Sequence, residues 1–167
     1  VDSVTLSPTT AYTNDLITAN AVFSDSDGQT VSGDFVWHVV DSATGLDTVV
    51  QTGSDNTLNG ASFFDKDDAV YVVVTPNDGV DDGTSFTSLS ITIANSAPSS
   101  PSVSISPDPA ESGVDDLVCT VDVLSNDADG DTIAYTYVWR DDSGTVQQTT
   151  TESTDTSDTY FGSGTSV

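Results

Sequence analysis

Phe35-Val36-Trp37-His38-Val39 sets bulky apolar side chains at alternate positions with a histidine between them. Successive side chains of a strand point to opposite faces. The spacing therefore predicts a strand with Phe35, Trp37 and Val39 turned to a core and His38 turned outward. Tyr137-Val138-Trp139 repeats the pattern in the second half of the 167-residue chain. Upstream of the two tryptophans the correspondence continues. Leu6-Ser7-Pro8 answers to Ile105-Ser106-Pro107, Asn14-Asp15-Leu16-Ile17 to Asp115-Asp116-Leu117-Val118, and Asp25-Ser26-Asp27-Gly28 to Asp127-Ala128-Asp129-Gly130. Matches in one order, about 100 residues apart, describe whole domains in an array and not the short units of a solenoid.

Between the copies lies Asn95-Ser96-Ala97-Pro98-Ser99-Ser100-Pro101. Its two prolines favour an extended, fairly stiff connection. The expected layout is a first domain over 1–95, a linker over 96–101 and a second domain over 102–167. Within the first, short apolar or alternating runs separated by turn residues predict strands near 2–6, 15–23, 34–41, 47–52, 57–63, 69–75 and 84–93. Asp27-Gly28, Asn59-Gly60, Asp78-Gly79 and Asp82-Gly83 mark turns. The second copy has counterparts near 102–106, 116–124, 133–140 and 145–150. Nothing in it answers to Tyr71-Val72-Val73-Val74-Thr75-Pro76 or to Ser90-Ile91-Thr92-Ile93. The expected fold is all-β: tandem β-sandwiches, the second lacking its last two strands within this chain.

Composition agrees with strands and narrows the partners. Ser, Thr, Asp and Gly dominate beside Val, Ile, Tyr and Phe, and Met is absent. Against 27 acidic residues stand only Lys66 and Arg140, a net charge of −25. Nucleic acid and anionic membrane both need basic patches, so neither is expected as a partner. No apolar run approaches the ~20 residues that span a bilayer, so membrane insertion is not expected either. So much like charge weakens a compact state unless cations or salt neutralise it. Cys119 is the sole cysteine, which excludes an intrachain disulfide and a zinc cluster.

Several segments resemble a known family. Asp67-Asp68-Ala69-Val70-Tyr71 is similar to the D-x-A-x-Y start of an immunoglobulin-fold sixth strand, and Leu117-Val118-Cys119 to the L-x-C of its second strand. The Ser-Pro opening, the D-x-D-G loop and the Asn-Ser-Ala-Pro linker resemble tandem immunoglobulin-like, cadherin-like repeats of large bacterial and archaeal surface or fibre proteins. The resemblance implies that Tyr71 packs at the strand corner with its hydroxyl bonded back to the backbone. It also puts Val73 at the usual second-cysteine position, so the first domain has no core disulfide. Cys119 is then a small core residue, or it pairs with a residue on the missing sixth strand.

The acidic loops are the candidate sites. Asp127-Ala128-Asp129-Gly130-Asp131 spaces three carboxylates two apart around a glycine turn, and hard cations such as Ca²⁺ collect oxygen ligands from loops of this kind. Strands flank it and no Glu follows at the twelfth position, so it is not an EF-hand. Asp25 and Asp27 form a poorer version, with Gln29 where Asp131 stands. In a sandwich this loop lies at the end where the chain enters. Asp127, Asp129 and Asp131 are then expected to face the linker, and the expected junction site combines Asp127 and Asp129 with Asn95 and one of Asp65 or Asp67. A second cation between Asp25, Asp27 and the acidic hairpin Asn77–Gly83 is the weaker expectation, since hairpin chemistry alone explains that stretch. Lone His38 lacks the partners of a catalytic base, and no enzyme is expected.

The expected function is an extracellular or cell-surface structural repeat, part of a fibre, sheath or stalk with calcium-stiffened domain junctions. Its expected partners are neighbouring copies. The first expectation for the unfinished domain is that the sequence is an excerpt from a longer chain, and the second is that strands from a neighbouring subunit complete it. The alternative is an adhesin or carbohydrate-binding accessory module, for which Tyr12, Phe63, Phe64, Tyr135 and Tyr160 are the candidate aromatic contacts.

Overall fold

The computed structural model describes residues 1–26 and 28–162, and these form antiparallel sheets with one short helical turn. The chain divides into two compact units, Val1–Ser96 and Ala97–Val167. The Pro/Ser segment expected as a linker thus falls, from Ala97 onward, in the second unit.

In the first unit β1 (Ser3–Ser7), β2 (Leu16–Val22) and β5 (Thr57–Asn59) make one sheet in the order β1-β2-β5. The other contains β3 (Ser32–Val40), β4 (Asp47–Gly53), β6 (Ala69–Asn77), β7 (Phe86–Thr87) and β8 (Ile91–Thr92), ordered β4-β3-β6-β7 with β8 also on β6. Alternation decides which faces meet. Val4, Leu6, Ile17, Ala19 and Leu58 from the first sheet join Phe35, Trp37, Val39, Val70, Val72 and Val74 from the second in one buried cluster. Trp37 is fully buried, as its alternation predicts, and its indole Nε1 donates to the Asp55 carbonyl at 3.3 Å. Across the β3–β6 ladder, Phe35, Trp37 and Val39 face Val74, Val72 and Val70. These valines are β-branched residues on a pleated face, each contributing roughly 1.5–3 kcal/mol when fully buried.

Two expected strands differ. The run 57–63 stops at Asn59, because the Asn59 side chain accepts from the Ala61 amide at 3.1 Å and caps a helical turn, α1 (Gly60–Phe63). Gly60 sits where an added Cβ would lie 2.8 Å from the Asp15 carbonyl oxygen, so only glycine permits this close approach. The run 84–93 splits into β7 and β8. At the break the Ser88 hydroxyl accepts from the Val72 amide at 3.1 Å while the Ser88 amide donates to the Val72 carbonyl at 2.9 Å. A side-chain oxygen thereby replaces a ladder carbonyl, and Leu89 swings out to 89 % exposure.

The second unit has β9 (Ser102–Ser106), β10 (Leu117–Val123), β11 (Tyr135–Arg140), β12 (Val146–Ser153) and β13 (Ser157–Tyr160). Its sheets are β13-β10-β9 and β11-β12. The ladders match those of the first unit: Ile105 faces Cys119 as Leu6 faces Ala19. Cys119 therefore occupies the inward place of Ala19, and the local alignment is one residue off the one that the Leu16-Ile17 and Leu117-Val118 pairs suggest. The strand β13 was not expected. Ser-Asp-Thr-Tyr offers one apolar residue to a periodicity reading, yet Tyr160 packs on Trp139 with ring centroids 5.8 Å apart. Trp139 Nε1 donates to Asp158 Oδ2 at 2.6 Å.

Replacing Trp37 by Ala should lower unfolding free energy by about 3–5 kcal/mol, the usual cost of an aromatic cavity. Leu89→Ser should stay within about 0.5 kcal/mol, as exposed sites do. Urea denaturation followed by circular dichroism measures both; equal losses would contradict this assignment of core and surface.

Candidate metal centre

Asp127 organises the acidic loop of the second unit. Its Oδ1 accepts from the Asp129 amide at 2.9 Å and the Asp131 amide at 3.3 Å, and its carbonyl accepts from Gly130 N at 3.4 Å. Gly130 takes φ of 73°, the left-handed conformation that glycine adopts without steric cost. This turn gathers Asp127, Asp129 and Asp131, with one oxygen from each within 4.8 Å of the others. Three negative charges at such spacing repel by roughly 1 kcal/mol per pair even at the dielectric of water. The group could hold a metal ion.

The loop is tied to the segment by which the chain enters the unit. Ser99 N donates to the Asn126 carbonyl at 2.9 Å, and Asn126 N donates to Ser99 Oγ at 2.8 Å. This reciprocal pair sits one residue before Asp127.

The remaining expected ligands lie in the first unit. Asp25 repeats part of the turn, its Oδ1 accepting from Gln29 N at 3.2 Å as Asp127 accepts from Asp131. Asp27 lies outside the described residues. Asn95 Nδ2 donates to the Ser96 carbonyl at 2.8 Å. Asp65 N donates to Asp68 Oδ2 at 3.0 Å, and Asp67 N to the Ile93 carbonyl at 2.9 Å. Asp68, which sequence reasoning passed over, is the buried carboxylate here; its Oδ1 also accepts from Ser42 N at 2.9 Å. Asp25 also lines a hollow of ≈ 160 Å³ with Asn77, Asp78, Asp81 and Asp82. The Asp81 and then the Val80 amides hold the Asp78 carboxyl below the usual range. Asn77 Nδ2 donates to Asp82 Oδ1 at 2.7 Å, so hairpin bonds account for much of this loop.

Tyr71 departs from the corner geometry. It points away from the core between inward Val70 and Val72, and its hydroxyl donates to Asp47 Oδ2 at 2.6 Å. Its ring stacks on His38 at 4.5 Å and 14°, and His38 Nδ1 lies 3.0 Å from Asp47 Oδ1. His38 faces outward as expected, but into this partnered network. The bond to Asp47, then burial, then the carboxylate charge raise the Tyr71 pKa to about 12. The Tyr71 hydroxyl, then His38, hold the Asp47 carboxyl below its ordinary value.

Of the aromatic residues considered for sugar contact, Phe64 is buried and Phe63 packs on the core. The Tyr135 hydroxyl accepts from Ser125 N at 3.0 Å, and the Tyr160 ring packs at a tilt of 31° against Trp139. Tyr12 is exposed. No helix among the described residues is long and apolar enough to cross a membrane. The chain matches no protein-family model and no curated protein.

The Asp47–Tyr71 bond has a definite pH signature. The folded pKa of Tyr71 lies above 10, so its contribution is full below pH 10 and is lost as pH rises toward about 12. The folded pKa of Asp47 is depressed, so its contribution holds above the ordinary carboxylate range and is lost as pH falls through the lowered value. Spectrophotometric titration should show one tyrosine ionising near pH 12, and Asp47→Asn should bring it down toward 10. An unchanged titration in that variant would remove the assignment.

Proposed function

We propose that this chain is a structural segment of an extracellular or cell-surface array, a spacer in a fibre, sheath or stalk, built of immunoglobulin-like sandwiches in series with neighbouring copies as partners. Three features support the fold reading. The sheet orders β1-β2-β5 and β4-β3-β6-β7 suit a two-layer sandwich of about seven strands. Both sheets feed one buried cluster in the first unit. The ladders around Leu6 and Ile105 correspond. A chain with charge −25 and two basic residues suits a hydrated, salt-bathed surface and repels anionic partners.

The observation that carries the functional reading is the Asp127–Asp129–Asp131 group adjoining the Ser99–Asn126 pair. We assign calcium to that group, with water and backbone carbonyls completing its shell. The ion relieves the mutual repulsion of the carboxylates and fixes the loop. Through Asn126 it also fixes the Pro/Ser segment at Ser99. A stiffened entry segment is what a spacer requires and what a reaction does not.

Calorimetric titration of the full chain with CaCl₂ tests this. At 100-fold excess over Kd, calcium should add about 2.7 kcal/mol to the unit that binds it. That corresponds to roughly 10–20 °C in its melting temperature for a unit of this size. Asp127→Asn and Asp129→Asn should each remove most of the shift, and Mg²⁺ should do less than Ca²⁺. Absence of both heat and thermal shift would defeat the proposal. A strong hit on a glycan array would instead favour the carbohydrate-binding alternative.

A further inference from the structure

We propose that the second unit is a strand acceptor. The edge of β11 away from β12, unpaired among the described residues, and the apolar groove beside it take one extended, uncharged polypeptide strand of the β6 type, antiparallel to β11, with β-branched side chains at alternate positions. This rests on the likeness of the two units and not on calcium.

The first unit supplies the template. There β3 is flanked by β4 on one edge and β6 on the other. In the second unit β11, which carries the matching Tyr137-Val138-Trp139, pairs among the described residues with β12 alone. The difference is read directly in the facing sheet. Val4 and Leu6 of β1 are 6 % and 7 % exposed, whereas Val103 and Ile105, at the same places in β9, are each 53 % exposed. With Cys119, Val121, Tyr137 and Trp139 they line an open groove of ≈ 300 Å³. An edge strand beside an apolar groove offers both elements of strand addition, main-chain hydrogen bonds and pockets for every second side chain.

The register and chemistry of the occupant follow from the same template. Val72 faces Trp37, so the incoming strand puts a β-branched residue opposite Trp139 and others two positions to either side. Charge selects further. The acceptor belongs to a chain of net charge −25, which repels a carboxylate-bearing strand, while Ala69–Asn77 contains no charged residue. Arg140 holds the outward place of His38, and His38 stacks on Tyr71. A tyrosine at that place in the incoming strand offers the guanidinium an aromatic face. A second intact copy does not supply such a strand, because its own β6 is paired with β3 on one side and with β7 and β8 on the other.

The probe is a synthetic peptide with the sequence of residues 69–77, Ala-Val-Tyr-Val-Val-Val-Thr-Pro-Asn, added to the full chain with calcium and, separately, with chelator. The expected result is one-to-one binding in both conditions, with amide shifts confined to β11 and the groove. Aspartate at the peptide positions of Val72 and Val74 should weaken binding at least tenfold. Val103→Asp in the protein, at a half-exposed site the fold tolerates, should do the same. The proposal is overturned by no binding, by binding indifferent to these changes, by shifts that map to β3, or by a chain that buries the groove through self-association. Persistence in chelator separates its outcome from that of the calcium reading.

Discussion

The β3–β6 ladder is the constraint on which the rest of the structure depends. One face of β3 is too apolar to leave in water, and only a long strand with matching alternation covers it. In the first unit Val70, Val72 and Val74 meet that need, and the β1-β2-β5 sheet closes the cluster from the other side. Elements around the ladder are short and adaptable. One strand gives way to a helical turn after Asn59, and another is interrupted at Ser88, whose hydroxyl restores the lost ladder bond. In the second unit no strand among the described residues covers the same apolar face on β11 in that way, and Val103 and Ile105 are open to solvent.

Charge is the second theme. With two basic residues in the chain, carboxylates are stabilised chiefly by amides and hydroxyls. Asp41 accepts from Thr44 through both its hydroxyl and amide at 2.7 Å, and Asp55 binds Thr57 in the same two ways at 2.7 and 3.0 Å. These bonds hold both carboxyls below the usual range. Most such turns use a single carboxylate. The Asp127 loop differs because its turn gathers three, which backbone amides help to organise. The proposed calcium role rests on that contrast.

Much of the fold was legible because period-two alternation is strong where strands are long. Phe35–Val39 and Val70–Val74 could be placed from sequence, as could the matching order of segments in the two halves. Short elements were not legible. β13 carries one apolar residue, and the split at Ser88 depends on a hydroxyl replacing a carbonyl, which leaves no trace in hydropathy. Among the site residues, the Asp127 loop was readable because its spacing and glycine define a local turn. Asp68 and the Asp47–Tyr71–His38 network were not, because Ser42, which donates to Asp68, and Tyr71, which donates to Asp47, stand 26 and 24 residues from their acceptors in sequence. The apolar run placed the strand near 69–75, where β6 lies, whereas the corner role that the D-x-A-x-Y resemblance implied for Tyr71 gives way to the alternation that turns it outward between Val70 and Val72.

The central claim is that the two units share one plan and differ in the strand beside the tryptophan-bearing one. Residue-resolved hydrogen exchange on the full chain tests it most directly. Amides along Phe35–Val39 should exchange only through global unfolding of their unit, while those of Tyr137–Trp139 that do not face β12 should exchange orders of magnitude faster. Equal, strong protection along both stretches would contradict the account.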